Sequence, residues 1–195
     1  LILWVAPPKT GKPTLLYFHG NAGNLANRTG RFTRFLDRGY GLIAPAYRGS
    51  SGSTGTPTEP DLHADAARVY ASIGELVDGL TTNQLVLYGE SLGTGVAIAL
   101  ATSTKDAKPA AIVLEAPYTS IPDVARHNYP FLTPLLSMMT NRWESLARAP
   151  DLSSALLVLH GDADTLIPID QGQQVFAAAP AKPKRFFTVK VMYLK

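Results

Sequence analysis

Gly89-Glu90-Ser91-Leu92-Gly93 sets a hydroxyl between two glycines, after the apolar run LVLY and before LGTGVAIALA, which reads as a helix. A G-x-S-x-G at a strand-to-helix junction lets the chain turn sharply and leaves the serine at the tip. Its oxygen then sits at a helix N-terminus, where free N–H groups and the helix dipole favour negative charge. Ser91 is the candidate nucleophile for attack on an acyl carbon. The bland alternative is a Gly-rich turn with an incidental serine, and the strand and helix on either side weigh against it.

A tetrahedral oxyanion needs two preorganised donors. The backbone N–H of Leu92, directly after the serine, is one. The second should come from the turn after an earlier strand, and His19-Gly20-Asn21-Ala22-Gly23-Asn24 follows TLLYF with glycines that allow close backbone approach. The Asn21 N–H is assigned to this role, with Ala22 as the adjacent alternative. His19, at a buried strand end before the nucleophile, reads as a structural histidine rather than the base. A carboxylate to orient an imidazole is sought in HGDADTLIP, where Asp164 competes with Asp162 and with Asp170 just beyond; any of them could instead cap a turn or the helix near Ile169. Glu115, at another strand end, is a further candidate, with a local backbone hydrogen bond as its alternative.

These residues need elements to hold them. Apolar β-rich runs recur at 14–20, 40–47, 84–90, 110–117, 155–161 and 185–191, and LILWVAP at the start also looks like a strand. The runs are continuous rather than alternating, as in strands buried on both faces. Between them, 25–38, 61–76, 92–102 and 169–178 read as helices. Strand alternating with helix implies right-handed crossovers and an α/β three-layer α/β/α sandwich with a mostly parallel central sheet. Two stretches break the alternation: the small-residue loop 48–60, and 118–150, a Pro-punctuated insertion carrying Phe131, Leu132, Leu135, Leu136, Met138 and Met139. One domain, 1–195, with a cap-like insertion at about 118–150 is the expectation.

Composition narrows the partners. Five of the 18 basic residues lie after residue 180, which leaves 13 against 15 acidic residues on the body and no basic stripe for nucleic acid. The four histidines, His19, His63, His127 and His160, are scattered without metal-ligand spacing, so no metal is expected. His63 reads as solvated. The absence of cysteine excludes a disulfide framework and a thiol nucleophile. No apolar run approaches the ~20 residues of a membrane helix. A cytoplasmic location is the expectation. Because the sequence begins at Leu1, an N-terminal signal or anchor stays open, as do membrane contact and oligomeric state.

HGNAGN, YRGSSGSTG, LYGESLGTG, LEAPYTS, NRWESLARAP and HGDADTLIP, in this order, resemble the α/β-hydrolase superfamily, and within it small serine hydrolases with an HGN oxyanion motif. The resemblance implies Ser91 as nucleophile, Asp164 as triad acid, the Asn21 and Leu92 N–H groups as oxyanion hole, no cofactor, and 118–150 as a cap over an acyl pocket. Ala46 departs from the family's usual Asp before YRG, and an effect on that loop is expected. The implied activity is cleavage of a small-molecule carboxylic ester of short or medium acyl chain through an acyl-enzyme. The alternatives are a non-catalytic binding protein of the same fold, or an acyltransferase using the same nucleophile.

The family order of serine, acid and histidine places the base on a loop after the last strand. Here the histidine is expected after Val189, yet FFTV is followed by KVMYLK, and no histidine follows Asp164. The expectation is that the base belongs to residues outside this sequence. An encoded protein reading FFTVKVMYLK without interruption would remove that expectation and favour a hydrolase that has lost its base. His127, in the insertion, would lack the support of Asp164.

Overall fold

A computed structural model describes residues 1–104 and 106–190. In chain order the elements are β1 (Leu3–Ala6), β2 (Thr14–Phe18), α1 (Thr29–Asp37), β3 (Gly41–Pro45), α2 (Glu59–Ala71), α3 (Ile73–Leu76), β4 (Leu85–Glu90), α4 (Leu92–Ser103), β5 (Ala111–Glu115), α5 (Ile121–Asn128), α6 (Ser145–Arg148), β6 (Ala155–Gly161), α7 (Ile169–Ala178) and β7 (Lys184–Val189). The strands form one sheet in the order β1-β3-β2-β4-β5-β6-β7. Among the described residues only β1 runs antiparallel to its neighbour.

Crossover handedness decides which face each helix covers. The step from β2 to β3 moves one way along the sheet, and every later step moves the other way. Accordingly Phe32 of α1 packs with Leu15, Tyr17, Leu42, Ala44 and Tyr88 on one face. Leu62 and Val69 of α2, Val96 and Ile98 of α4 and Val175 of α7 pack with Leu16, Phe18, Leu87, Ile112 and Val158 on the other.

The imbalance corrects one expectation. β2 and β3 are buried along their whole length, but β5 and β6 alternate between buried and half-buried positions. Among the described residues, α1 alone covers its face, and Val113 and Leu157 border an open apolar groove of about 720 Å³ there. The last strand spans Lys184–Val189, and Val191 lies outside the described residues.

The insertion divides its large apolar side chains: Leu136 is buried, Met139 borders a cavity at the carboxyl end of the sheet, and Phe131, Leu135 and Met138 are exposed. Its far end is anchored: Glu59 at the start of α2 accepts hydrogen bonds from the N–H groups of Arg142 (2.7 Å) and Trp143 (2.9 Å). Ala46 is buried, and its carbonyl accepts from Ser53 Oγ (3.0 Å), which ties the following loop back to the strand end.

Candidate active site

Parallel sheets offer ligands the carboxyl ends of their strands. The candidate residues sit there: His19 to Asn21 after β2, Ser91 after β4, Glu115 ending β5, and Asp164 after β6.

Ser91 stands between β4 and α4 with φ 49° and ψ −116°, a conformation side chains seldom adopt. Its N–H donates to the Glu115 carbonyl (2.9 Å), and its own carbonyl accepts from the N–H (2.8 Å) and the hydroxyl (2.7 Å) of Thr94. Packing requires the flanking glycines. A Cβ on Gly93 would stand 2.0 Å from the carbonyl oxygen of Phe18, and one on Gly89 would stand 2.5 Å from that of Gly93. The close approach of α4 to the end of β2 brings the Ser91 turn beside the His19–Asn24 turn.

Ser91, Leu92 and Asn21 line one cavity of about 650 Å³. Leu92 opens α4, so its N–H has no acceptor within the helix. The apolar wall comes from Leu62, Tyr118, Ile121, Val124, Met139 and Trp143. Trp143 is buried and held at φ 47°.

The other candidates separate from this group. Asp164 lines an adjacent cavity of about 570 Å³ with Glu115, His160 and Val189. One carboxylate oxygen accepts from the N–H groups of Leu166 (3.0 Å) and Ile167 (2.9 Å), and Leu166 and Ile167 themselves border the Ser91 cavity. The Glu115 side chain turns to α1 instead, where Arg31 Nη2 reaches it at 3.0 Å and the Tyr88 hydroxyl donates to it at 2.6 Å. Asp170 lies in the first turn of α7 and accepts from Gln174 Nε2 at 3.4 Å.

His19 borders the Ser91 cavity, but both its ring nitrogens are engaged. Nδ1 lies 2.8 Å from the Gly20 carbonyl, and Nε2 faces the Tyr47 N–H at 3.5 Å, an arrangement that makes Nδ1 the donor. Burial, only partly countered by the Gly20 carbonyl, lowers its pKa. His160 is buried, with Nε2 2.8 Å from the Ile167 carbonyl. His63 is not solvated as its polar sequence suggests: it is half-buried with its ring edge-on to Trp143, centroids 4.8 Å apart. His127 is exposed on α5. Among the described residues, therefore, no imidazole with a free nitrogen lines the Ser91 cavity. The stretch after Val189 where the base is expected runs into 191–195, outside the described residues.

Sequence reasoning missed Arg28 and Tyr17. Arg28 Nε and Nη2 meet the two Glu90 oxygens at 2.8 Å each, and the Tyr17 hydroxyl donates to the same carboxylate. Burial alone would raise the pKa of Glu90; the Arg28 and Tyr17 hydrogen bonds outweigh it and hold the carboxyl below its ordinary range. The available signal was a carboxylate beside the nucleophile in an apolar context, which needs a partner.

The architecture is shared with known proteins. Over 188 residues the chain is 32% identical to an uncharacterized protein of Mycobacterium tuberculosis, Rv2307c, a match covering 95% of this chain and 65% of the relative. It is 31% identical over 196 residues to the lysophosphatidylserine lipase ABHD12 of Bos taurus, covering 91% of this chain and 48% of that protein. The chain thus spans less than two thirds of the length of these curated relatives. The crystal structure of a monoacylglycerol lipase from Paleococcus ferrophilus superposes with a TM-score of 0.70 at 18% identity, covering 97% of this chain and 89% of that one. With residues 13–138 matching the alpha/beta hydrolase fold family, the chain belongs to the α/β-hydrolases.

Proposed function

We propose that this chain carries the nucleophile, oxyanion donors and acid of a serine hydrolase acting on carboxylic esters. The observation that carries the reading is Ser91, held at positive φ on a strand-to-helix turn, sharing one apolar-walled cavity with Leu92 and Asn21. Ser91 Oγ attacks the acyl carbon and gives up its proton to a base. The carbonyl electrons move onto oxygen, where the N–H groups of Leu92 and Asn21 receive the charge. Collapse of the adduct breaks the bond to the alcohol, which leaves with a proton, and water then attacks the acyl-enzyme to release the acid. Asp164 orients the imidazole that moves these protons, and 118–150 caps the acyl cavity.

The substrate is an ester of a short or medium acyl chain, in keeping with the mostly apolar cavity wall. The names of relatives and of structurally similar proteins, a lysophosphatidylserine lipase and a monoacylglycerol lipase, support an acyl ester as the substrate class. A second reading rests on His19, which among the described residues is the one histidine lining the Ser91 cavity and has both ring nitrogens engaged: a protein that holds an acyl chain in this cavity without turnover.

A fluorophosphonate probe separates the two. Labelling of the 195-residue chain at Ser91, absent in Ser91→Ala, together with p-nitrophenyl butyrate hydrolysis that rises with added imidazole and requires Ser91, is the expected result. Absence of both, with octanol still bound in the cavity, would support the binding protein instead.

A further inference from the structure

One guanidinium joins the two halves of the proposed site. Arg28 ends the 3₁₀ turn Leu25–Arg28, directly after the His19–Asn24 turn, and is 8% exposed. On one side Nε and Nη2 form a bidentate pair with Glu90, the residue that ends β4 and precedes Ser91. On the other side Nη1 donates to the carbonyls of Ala22 and Asn24, both at 3.0 Å. Gly20 passes close over this pair: a Cβ there would stand 3.1 Å from Glu90 Oε1 and 3.3 Å from Arg28 Nη2.

We propose that Arg28 is a positioning residue for catalysis, which fixes the oxyanion turn relative to Ser91 by gripping both at once. The inference rests on the serine-hydrolase reading above. Arginine suits the task because its planar fork offers five donors in fixed directions and stays charged at every working pH. Lysine, a single ammonium on a flexible stem, cannot hold a bidentate carboxylate and two carbonyls on opposite sides. The relevant geometry is narrow. A donor displaced by about 1 Å from the developing oxyanion can cost ~10²-fold in rate, whereas binding of a chain that lacks a carbonyl does not depend on it.

The test pairs two readouts on the 195-residue chain. The first is the rate of Ser91 labelling by a fluorophosphonate: the Oγ–P bond forms, P–F breaks, fluoride leaves, the serine proton passes to solvent, and the phosphoryl oxygen occupies the oxyanion position. The second is the affinity of 1-octanol, read by tryptophan fluorescence through Trp143 in the cavity wall. Arg28→Lys and Arg28→Met should lower the labelling rate by roughly 10- to 100-fold and leave octanol affinity within about twofold. Glu90→Gln should lower it less, and the double variant Arg28→Met/Glu90→Gln should be no slower than Arg28→Met, because both changes disable one device. Should Arg28→Met fail to fold, Arg28→Lys and Glu90→Gln, checked by circular dichroism, carry the test. Folded variants that label at the wild-type rate, or that lose octanol affinity in step with labelling, overturn the proposal alone. A wild type that is never labelled at Ser91 removes the serine-hydrolase reading and this inference with it.

Discussion

Glu90 and Glu115 are register neighbours at the ends of β4 and β5, and each pairs with an arginine and accepts a hydrogen bond from a tyrosine, with Arg31 Nη1 also donating to the Tyr17 hydroxyl (3.2 Å) and so linking the two groups. Two carboxylates side by side would repel. Arg28 with Tyr17 serves the first, and Arg31 with Tyr88 the second. The pairs differ in burial: the Arg28 and Glu90 side chains are 9% and 21% exposed, those of Arg31 and Glu115 36% and 30%. Removing one partner of a mostly buried pair leaves a stranded charge, while the more exposed pair falls back on water. Arg28→Ala should therefore cost about 3 kcal/mol of unfolding free energy and Arg31→Ala about 1 kcal/mol. Urea denaturation of both variants measures this, and equal losses would contradict the burial argument.

Gly93 and Gly30 make a contrasting pair. A Cβ on Gly93 would meet backbone oxygens of Phe18 and His19 at 2.0 and 3.0 Å, and backbone cannot swing aside as a side-chain tip can. Gly93→Ala is expected to destabilise by several kcal/mol and to displace the Ser91 turn. Gly30, in the first turn of α1, has open space where a Cβ would stand, with no neighbouring atom within 4 Å. Gly30→Ala should raise stability by about 0.5 kcal/mol through helix propensity. Thermal melts of the two proteins should move in opposite directions.

These contrasts show what a sequence transmits. The sheet, the helices and the Ser91 turn were readable because strand-helix alternation and G-x-S-x-G are local patterns, and α7 falls at the residues its pattern marks, 169–178. Side-chain partners across the fold were not. Glu115 and Arg31 are 84 residues apart, and nothing near either names the other. Side-chain direction within the insertion was illegible for a different reason: composition does not say which way a Pro-punctuated 3₁₀ stretch turns its side chains, and Leu136 is buried while Phe131, Leu135 and Met138 are exposed. His63 failed the same way, because the ring of Trp143 that shields it lies 80 positions on.

Acid should weaken the fold in two stages. Burial lowers the pKa of His19, and of His63, where the charge of Arg148 adds to it, so both are neutral in the folded chain while the unfolded chain binds protons near 6.5. The unfolded state then holds more protons as pH falls below about 6.5, and stability falls with it. Glu90, held low by Arg28 and Tyr17 against the pull of burial, and Asp65, held low by Arg48, act further down. Their contribution is fully present above the unfolded values of 4.5 and 3.8 and is lost as pH drops through the lower folded ones. Urea midpoints should be flat between about pH 7 and 9, begin to decline below about 6.5, and decline further below about 4.5. His19→Gln should remove part of the first decline and none of the second.

Ser91 offers the sharpest trade between stability and chemistry. Its backbone, at φ 49° and ψ −116°, lies where a side chain is strained and glycine is not. Replacing it with alanine removes the hydroxyl but keeps the Cβ and hence the strain. Replacement with glycine removes both, and the relief, about 1–3 kcal/mol, exceeds the ~0.5–1 kcal/mol by which glycine favours the unfolded chain. Ser91→Gly should thus unfold at higher urea than wild type by about 1 kcal/mol, Ser91→Ala should stay near wild type, and neither should be labelled by a fluorophosphonate. A serine kept there for packing alone would gain nothing from its strain. A stabilised but unreactive Ser91→Gly would show that the turn sacrifices stability to present an oxygen.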